Sequence, residues 1–204
     1  GSKLIVDWAM RYGLPPVAER LQALKDQGCD RVVLFPLYPQ YSAATTATAL
    51  DKAYEKLLTM RWQPMIRVVP PYYEHPAYIA AVAESITEHM QGLSWTPDRI
   101  LVAFHGLPRE YLDKGDPYHC QCQKSARLLR NKLGLSEDKL QVVFQSRFGK
   151  AEWLKPYAQD TVEELPSQGV KKLLIVSPGF ASDCVETLEE LAIGLKETFT
   201  EKGG

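Results

Sequence analysis

The chain has 204 residues, 45% of them hydrophobic, which suits one large or two small globular domains with a real hydrophobic core. Lys and Arg number 24 against 25 Asp and Glu, so the chain has no basic field to hold a nucleic acid or an anionic membrane. No apolar run approaches the roughly 18 residues needed to cross a bilayer, and no signal pattern opens the chain. Four unevenly placed cysteines make no disulfide framework, so free thiols and a cytoplasmic location are expected.

Short apolar runs alternate along the chain with amphipathic stretches. The stretches carry apolar residues at three- and four-residue intervals, as helices do, and the short runs are typical of strands in a covered parallel sheet. The alternation predicts βαβ units. Pro166 should end or kink its helix early. In chain order we predict strand 4–10, helix 17–26, strand 31–37, helix 45–60, strand 65–69, helix 76–90, strand 100–104, helix 124–133, strand 140–144, helix 160–168, strand 172–176 and helix 185–199.

A longer connection, from Pro70 to Pro76, separates the first three predicted strands from the last three. It is rich in proline and tyrosine and fits a domain junction. We therefore predict an α/β fold of two similar lobes, residues 1–75 and residues 76–204, each with a parallel sheet flanked by helices. A ligand cleft is expected between the lobes.

His105 stands at the end of the predicted strand 100–104. Gly106 lets the backbone turn there and Pro108 stops the strand, which leaves the imidazole at the edge where open α/β sheets place their ligands. A neutral imidazole nitrogen accepts a proton or binds a metal. The alternative is a strand-end histidine hydrogen-bonded to a neighbouring loop.

Three carboxylates follow the last predicted strand. Asp183, Glu186 and Glu190 are spaced i, i+3 and i+7, so they share one face if the segment is helical. Stabilisation of a helix N-terminus explains Asp183, but it does not explain Glu190. Because carboxylates on one face repel unless they share a proton or a cation, this pattern indicates proton or metal handling.

Two turns after strands are rich in aromatic and hydroxyl side chains. They are residues 37–42, and residues 144–149 followed by Trp153. Together they favour a cleft for a flat apolar ligand with anionic edges, although ordinary turn chemistry also explains each one. The segment from His119 to Cys122 resembles half of a metal knuckle, but no second ligand pair exists, so a loop before the next helix is favoured. Dinucleotide, nucleoside-triphosphate and esterase motifs are absent from the sequence.

Taken in order, seven blocks of the sequence resemble the ferrochelatase family, and its bacterial members most. Members of this family insert ferrous iron into protoporphyrin IX to form haem. The blocks span nearly the whole chain: Met10-Arg-Tyr-Gly13, Leu37-Tyr-Pro-Gln-Tyr-Ser42, His105-Gly-Leu-Pro108, Gly115-Asp-Pro-Tyr118, Phe144-Gln-Ser-Arg-Phe-Gly149, Trp153-Leu154, and Pro178 to Glu190.

The resemblance implies two Rossmann-like lobes that grip the macrocycle, and it implies roles for particular residues. His105 corresponds to the active-site histidine and Glu186 to the catalytic glutamate. Asp183 and Glu190 continue an acidic path, so the implied metal-handling set comprises His105, Glu186, Asp183 and Glu190. The positions that match the porphyrin-lining residues of the family are Arg11, Tyr12, Tyr38, Ser42, Trp153 and Phe180.

The resemblance also implies the ligands. Protoporphyrin IX and Fe²⁺ are the expected substrates, with no bound prosthetic group. Animal members hold a two-iron, two-sulfur cluster, but the turn here reads Tyr41-Ser42-Ala43, and Cys120 and Cys122 are two thiols where a cluster needs four ligands, so we expect no cluster. The N-terminal and C-terminal segments of the family lie outside this sequence, which leaves open whether this chain is active alone.

Two other functions stay open at this stage. One is a chelatase for another tetrapyrrole and metal, and the other is a module that binds porphyrin or haem without catalysis. The sequence does not decide the oligomeric state, the preferred porphyrin side chains, peripheral membrane association, or which of His105 and Glu186 handles metal and which handles protons.

Overall fold

A computed structural model describes residues 4–204 of the chain. These residues divide into two compact units, one ending at Pro71 and the other beginning at Tyr72. The division falls inside the predicted connection, slightly before the predicted boundary at 75/76. Each unit contains a parallel sheet with helices, so the predicted α/β class is confirmed.

The first unit is built on a two-stranded parallel sheet. Its strands β1 and β2 pair in register from Arg31 opposite Met65 to Leu34 opposite Val68. Helices α1 and α2 pack on one face of this sheet, around Leu21 and Leu57. On the other face Met65 is 63% exposed. The elements are α1 (Val17–Asp26), β1 (Arg31–Leu34), a π-helical turn (Ala43–Ala47) that continues into α2 (Thr48–Leu58), and β2 (Met65–Val68).

The predicted strand at 4–10 is wrong. Residues 4–9 form neither helix nor strand, and Met10 makes only an isolated bridge with Pro16. The side chains of Leu4, Val6 and Trp8 are exposed. An apolar run forms a strand only where another strand pairs with its backbone, and within residues 4–204 no strand pairs here.

The second unit has a three-stranded parallel sheet in the order β4-β3-β5. The central strand β3 is buried along its apolar run, as a strand covered on both faces is. One face packs on α3 and α5, and the other on α6, the π-helix and α7. The elements are α3 (Pro76–Gly92), β3 (Arg99–His105), α4 (Arg109–Asp113), α5 (Tyr118–Leu133), β4 (Leu140–Gln145), α6 (Ala158–Glu164), β5 (Leu173–Val176), the π-helix (Glu186–Leu195) and α7 (Lys196–Glu201).

Two helices of the second unit show where local sequence signals succeed and fail. Helix α6 gives way to a 3₁₀ turn, Leu165–Gln168, at Pro166, as predicted. Helix α5 begins at Tyr118, whose amide donates to the Asp116 carboxylate over 3.0 Å, so the predicted loop around His119 is wrong. None of the helices described between residues 4 and 204 has the length and apolar character needed to span a bilayer.

Candidate active site

His105 is the last residue of β3, at the carboxyl edge of the sheet, where it was predicted. Its ring Nδ1 lies 2.6 Å from the carbonyl oxygen of Gly106. A carbonyl only accepts, so Nδ1 carries the hydrogen, and the nitrogen left to carry the lone pair when the ring is neutral is Nε2. The Tyr118 hydroxyl donates to the His105 carbonyl over 3.1 Å and holds the strand end from behind. The atom available to take a proton or bind a metal is therefore Nε2.

Gly106 makes the close turn after His105 possible. Its amide donates to the backbone carbonyl of Gln145 over 2.8 Å. A Cβ atom at position 106 would lie 2.6 Å from that carbonyl oxygen and 3.0 Å from Cε3 of Trp153. Real Cβ atoms do not approach backbone this closely, so the site requires glycine.

Glu186 is the first residue of the π-helix and is half-buried. The Cys184 thiol donates to its carboxylate and holds the pKa of Glu186 below its ordinary value, helped by the backbone N–H of Glu186 and by the His105 imidazole. Burial and the bond to Glu186 in turn raise the pKa of Cys184. Glu186 is thus an ionised carboxylate at neutral pH, and it lies near enough to His105 for the two to interact electrostatically.

The other two predicted carboxylates are engaged in different bonds. Glu190 accepts from the Ser146 amide over 2.6 Å and from the Ser146 hydroxyl over 2.5 Å. Asp183 precedes the helix and accepts from the Thr187 hydroxyl over 2.9 Å.

A metal-handling role for His105, Glu186, Asp183 and Glu190 stays a prediction. Among residues 4–204, no three His, Cys, Asp or Glu side chains converge in a way that could hold a metal ion. Ser146 donates to Glu190 and Thr187 donates to Asp183, whereas Glu186 is the carboxylate that interacts with His105.

Two predicted porphyrin residues belong to the second unit. Trp153 is only 5% exposed and packs against Gly106, with its ring 4.9 Å from that of Phe148. Trp153 therefore supports the turn that follows His105. Phe180 is half-buried in the loop after β5, where its amide donates to the Ser177 carbonyl over 3.2 Å. Contact of either ring with porphyrin stays a prediction.

Three of the four predicted porphyrin residues in the first unit come together. The Arg11 guanidinium lies 4.4 Å from the centre of the Tyr12 ring. Burial raises the pKa of Tyr38, and the nearby Arg11 offsets part of that rise. Ser42 is fully buried, and its hydroxyl accepts from the Ala44 amide over 3.0 Å as the cap of the π-helical turn. The burial of Ser42 favours a structural role over a direct contact with ligand.

Three residues around His105 and Glu186 carry no motif that predicts their role. Tyr118, Gln145 and Cys184 all lie inside the family blocks, and they contact the backbone or side chain of His105, Gly106 or Glu186. The available signal was the position of Gln145, a polar residue that ends an apolar strand. Its partners could not be inferred, because they come from residues far away in sequence.

A cavity of about 490 Å³ lies elsewhere in the second unit, along the outer edge of β4 between α5 and α6. Its lining includes Arg127, Gln141 and Glu164, and neither His105 nor Glu186 contributes to it. This cavity is therefore separate from the His105 and Glu186 pair.

Comparison with known proteins gives one consistent result. The family model described as Ferrochelatase matches residues 1–204. The chain is 58% identical to the ferrochelatase of Rhizobium meliloti (strain 1021) over 202 residues, 99% of this chain and 60% of that protein. It is 57% identical to the ferrochelatase of Rhizobium etli (strain CIAT 652) and 54% identical to that of Nitrobacter hamburgensis (strain DSM 10229 / NCIMB 13809 / X14), covering 98% of this chain and 58% of each relative. The chain thus spans about three fifths of the length of these relatives. This chain belongs to the ferrochelatase family.

Proposed function

We propose that the protein inserts Fe²⁺ into protoporphyrin IX, giving haem and two protons. The observation that carries the proposal is the pairing of His105 with Glu186 at the carboxyl edge of the second sheet. His105 presents Nε2, because its Nδ1 is bonded to the Gly106 carbonyl, and Glu186 presents a carboxylate whose pKa is lowered by the bond from the Cys184 thiol. Family membership supports the same reaction.

The reaction needs two kinds of group, and the pair supplies both. Two pyrrole nitrogens must lose their protons, and Fe²⁺ must exchange water for the four nitrogens of the macrocycle. Nε2 of His105 suits the role of general base, because the bond of Nδ1 to the Gly106 carbonyl leaves Nε2 as the nitrogen that can accept a proton. The Glu186 carboxylate suits the role of a hard oxygen ligand that attracts the cation. Iron in this scheme is a substrate.

The porphyrin would be held by aromatic and cationic side chains. Arg11 offers a guanidinium for a carboxylate edge of the macrocycle, and Tyr12, Tyr38 and Phe180 offer ring surface for its apolar face. Arg11, Tyr12 and Tyr38 lie together, which supports their action as one group.

We further propose that Cys120 and Cys122 hold no iron–sulfur cluster. Cys120 is exposed whereas Cys122 is fully buried, so the two side chains face different surroundings on α5. Visible absorption from an anaerobically purified, brown protein would contradict this. The cytoplasm remains the proposed compartment, with the absence of disulfides among the described cysteines as its support.

The function is tested by following metal insertion in the porphyrin spectrum, with Fe²⁺ and with Zn²⁺. In the full-length protein we expect His105→Ala and Glu186→Gln each to lower turnover by about 100-fold or more. His89→Ala and Glu189→Gln are matched controls, because both side chains are exposed and neither belongs to the site.

The time course of the spectrum separates the competing functions. Catalysed insertion shifts the porphyrin bands progressively, whereas a module that only binds porphyrin or haem gives an immediate and saturating change. Near-wild-type turnover in both His105→Ala and Glu186→Gln would end the proposal. Faster insertion with another tetrapyrrole and metal would favour the related chelatases.

A further inference from the structure

Gln145 ends strand β4 directly opposite His105 in the parallel register. It is 2% exposed. Its backbone carbonyl accepts from the Gly106 amide over 2.8 Å. The main chain of Gln145 thus holds the turn that carries His105.

The side chain of Gln145 reaches the π-helix that begins at Glu186. Its Nε2 donates to the backbone carbonyl of Glu186 over 3.2 Å and approaches the Glu190 carboxylate at 3.5 Å. Both neighbouring groups only accept hydrogen bonds, so the amide nitrogen must face them. Gln145 therefore contacts the turn after His105 through its main chain and the helix of Glu186 through its side chain.

The next residue, Ser146, adds a second bond to the same helix. Ser146 has a φ of 62°, in the left-handed region that residues other than glycine seldom adopt. In this conformation its amide and its hydroxyl both donate to the Glu190 carboxylate. Surrounding bonds must hold such a backbone in place. Glu190 acts here as the point where the π-helix is fastened to the end of β4.

The burial of the Gln145 amide also needs an explanation. Within residues 4–204 its Oε1 is buried with no hydrogen-bond partner. A buried, unsatisfied polar atom costs stability, and an apolar side chain of similar length would avoid that cost. The donor atom Nε2 is therefore the feature that accounts for an amide at this position.

We propose that Gln145 is a positioning residue that sets the separation between the His105 imidazole and the Glu186 carboxylate, with Ser146 and Glu190 as a second fastening of the same helix. The inference rests on the proposed function. Its chemical importance follows from the sensitivity of catalysis to geometry, since a displacement of about 1 Å can cost roughly 100-fold in rate.

The test compares Gln145→Met and Gln145→Leu with Gln141→Met in the full-length protein. Met and Leu are apolar side chains that lack Nε2 and place no charge beside Glu190. Gln141 lies four residues earlier on β4 and on the same face of the sheet. It is the matched control, because the hydrogen bonds from the end of β4 to the π-helix come from Gln145 and Ser146. We expect both Gln145 variants to lower kcat at least about tenfold while KM for porphyrin changes less than about twofold, and Gln141→Met to match wild type.

A second measurement does not depend on activity. Hydrogen exchange of the amides of the π-helix should be faster in Gln145→Met than in Gln141→Met, because the Glu186 end of the helix loses its donor. Ser146→Ala should show a smaller increase, since the Ser146 amide still donates to Glu190. If Gln145→Met fails to fold, the variant Gln145→Leu gives the result.

The outcomes separate the two proposals. If wild type and Gln141→Met do not insert metal, the proposed function fails, while hydrogen exchange still reports on the fastening of the helix. If wild type inserts metal and a folded Gln145 variant keeps kcat within about twofold, the positioning role is overturned. Unchanged hydrogen exchange in the Gln145 variants overturns it as well.

Discussion

The two units hold their candidate site residues in different ways. In the second unit His105 ends a strand of a sheet that helices cover on both faces, and Glu186 begins one of these helices. Hydrogen bonds from Tyr118 and Gln145 hold the backbone of these two residues. In the first unit the sheet is covered by helices on one face, and Tyr12 is 75% exposed. Proton and metal transfer depend on distances between atoms, whereas a broad flat ligand is held by contact area. The comparison teaches that the residues proposed to handle protons and metal lie on the sheet that helices cover on both faces.

The largest expected effect is on the free energy of unfolding, and it differs between the two sheets. Phe104→Ala removes a fully buried ring from β3 and should lower the free energy of unfolding by about 3–5 kcal/mol. Met65→Ala, on the open face of the first sheet, should change it by about 0.5 kcal/mol or less. Denaturant unfolding of the two variants measures both values. Equal losses would show that the two sheets are equally well packed.

The second effect tests the turn after His105. Gly106→Ala places a methyl group against the Gln145 carbonyl and should destabilise the protein by about 1–3 kcal/mol while also lowering kcat. Gly92→Ala is the matched control, because nothing lies within 4 Å of its Cβ position at the end of α3. The control should be neutral or stabilising. A tolerated Gly106→Ala would mean that the turn has room the structure does not show.

The third effect concerns the first unit. If the proposed function holds, Arg11→Ala should raise KM for porphyrin by up to about fivefold, because an ion pair screened by solvent contributes about 1 kcal/mol. The effect on kcat should be smaller. Arg11→Lys keeps the charge, so its KM should lie between those of wild type and Arg11→Ala. Arg61→Ala is the control, because Arg61 is an exposed arginine of the same unit with no predicted role. Steady-state kinetics should give this variant the KM and kcat of wild type.

The smallest effect is on pH dependence. The Cys184 thiol lowers the pKa of Glu186, so the carboxylate stays ionised to lower pH than usual, and any activity that needs it is lost as pH falls through that lowered pKa. Cys184→Ala removes the donor, so the acid limb of the rate profile should move to higher pH. Cys184→Ser keeps a donor and should keep the profile. Superimposed profiles for wild type and Cys184→Ala would contradict the assignment.

The sequence predicted those parts of the fold that depend on local pattern. Helix α1 lies at the predicted residues 17–26, and Pro166 ends α6 as expected. The strand at 4–10 was wrong because pairing depends on distant residues. Helix α5 began earlier than predicted because the polar segment around His119 hides its first turn.

The candidate site follows the same division between local and distant signals. His105 could be placed from the strand end and the glycine that follows it. The tautomer of His105, the bond from Cys184 to Glu186 and the engagement of Glu190 by Ser146 could not be predicted. Each depends on which residues the folded backbone brings within about 3 Å of one another.

The contrast between two thiols on α5 makes selective labelling feasible. Cys122 is buried and hydrogen-bonded to Tyr118, and burial raises its pKa well above the ordinary range, so it stays protonated and unreactive at neutral pH. Cys120, two residues earlier, is exposed to solvent. A maleimide fluorophore should therefore attach at Cys120 before Cys122. Its emission would report on the first turn of the helix whose Tyr118 donates to the His105 carbonyl, which gives an optical readout of the strand end that carries His105.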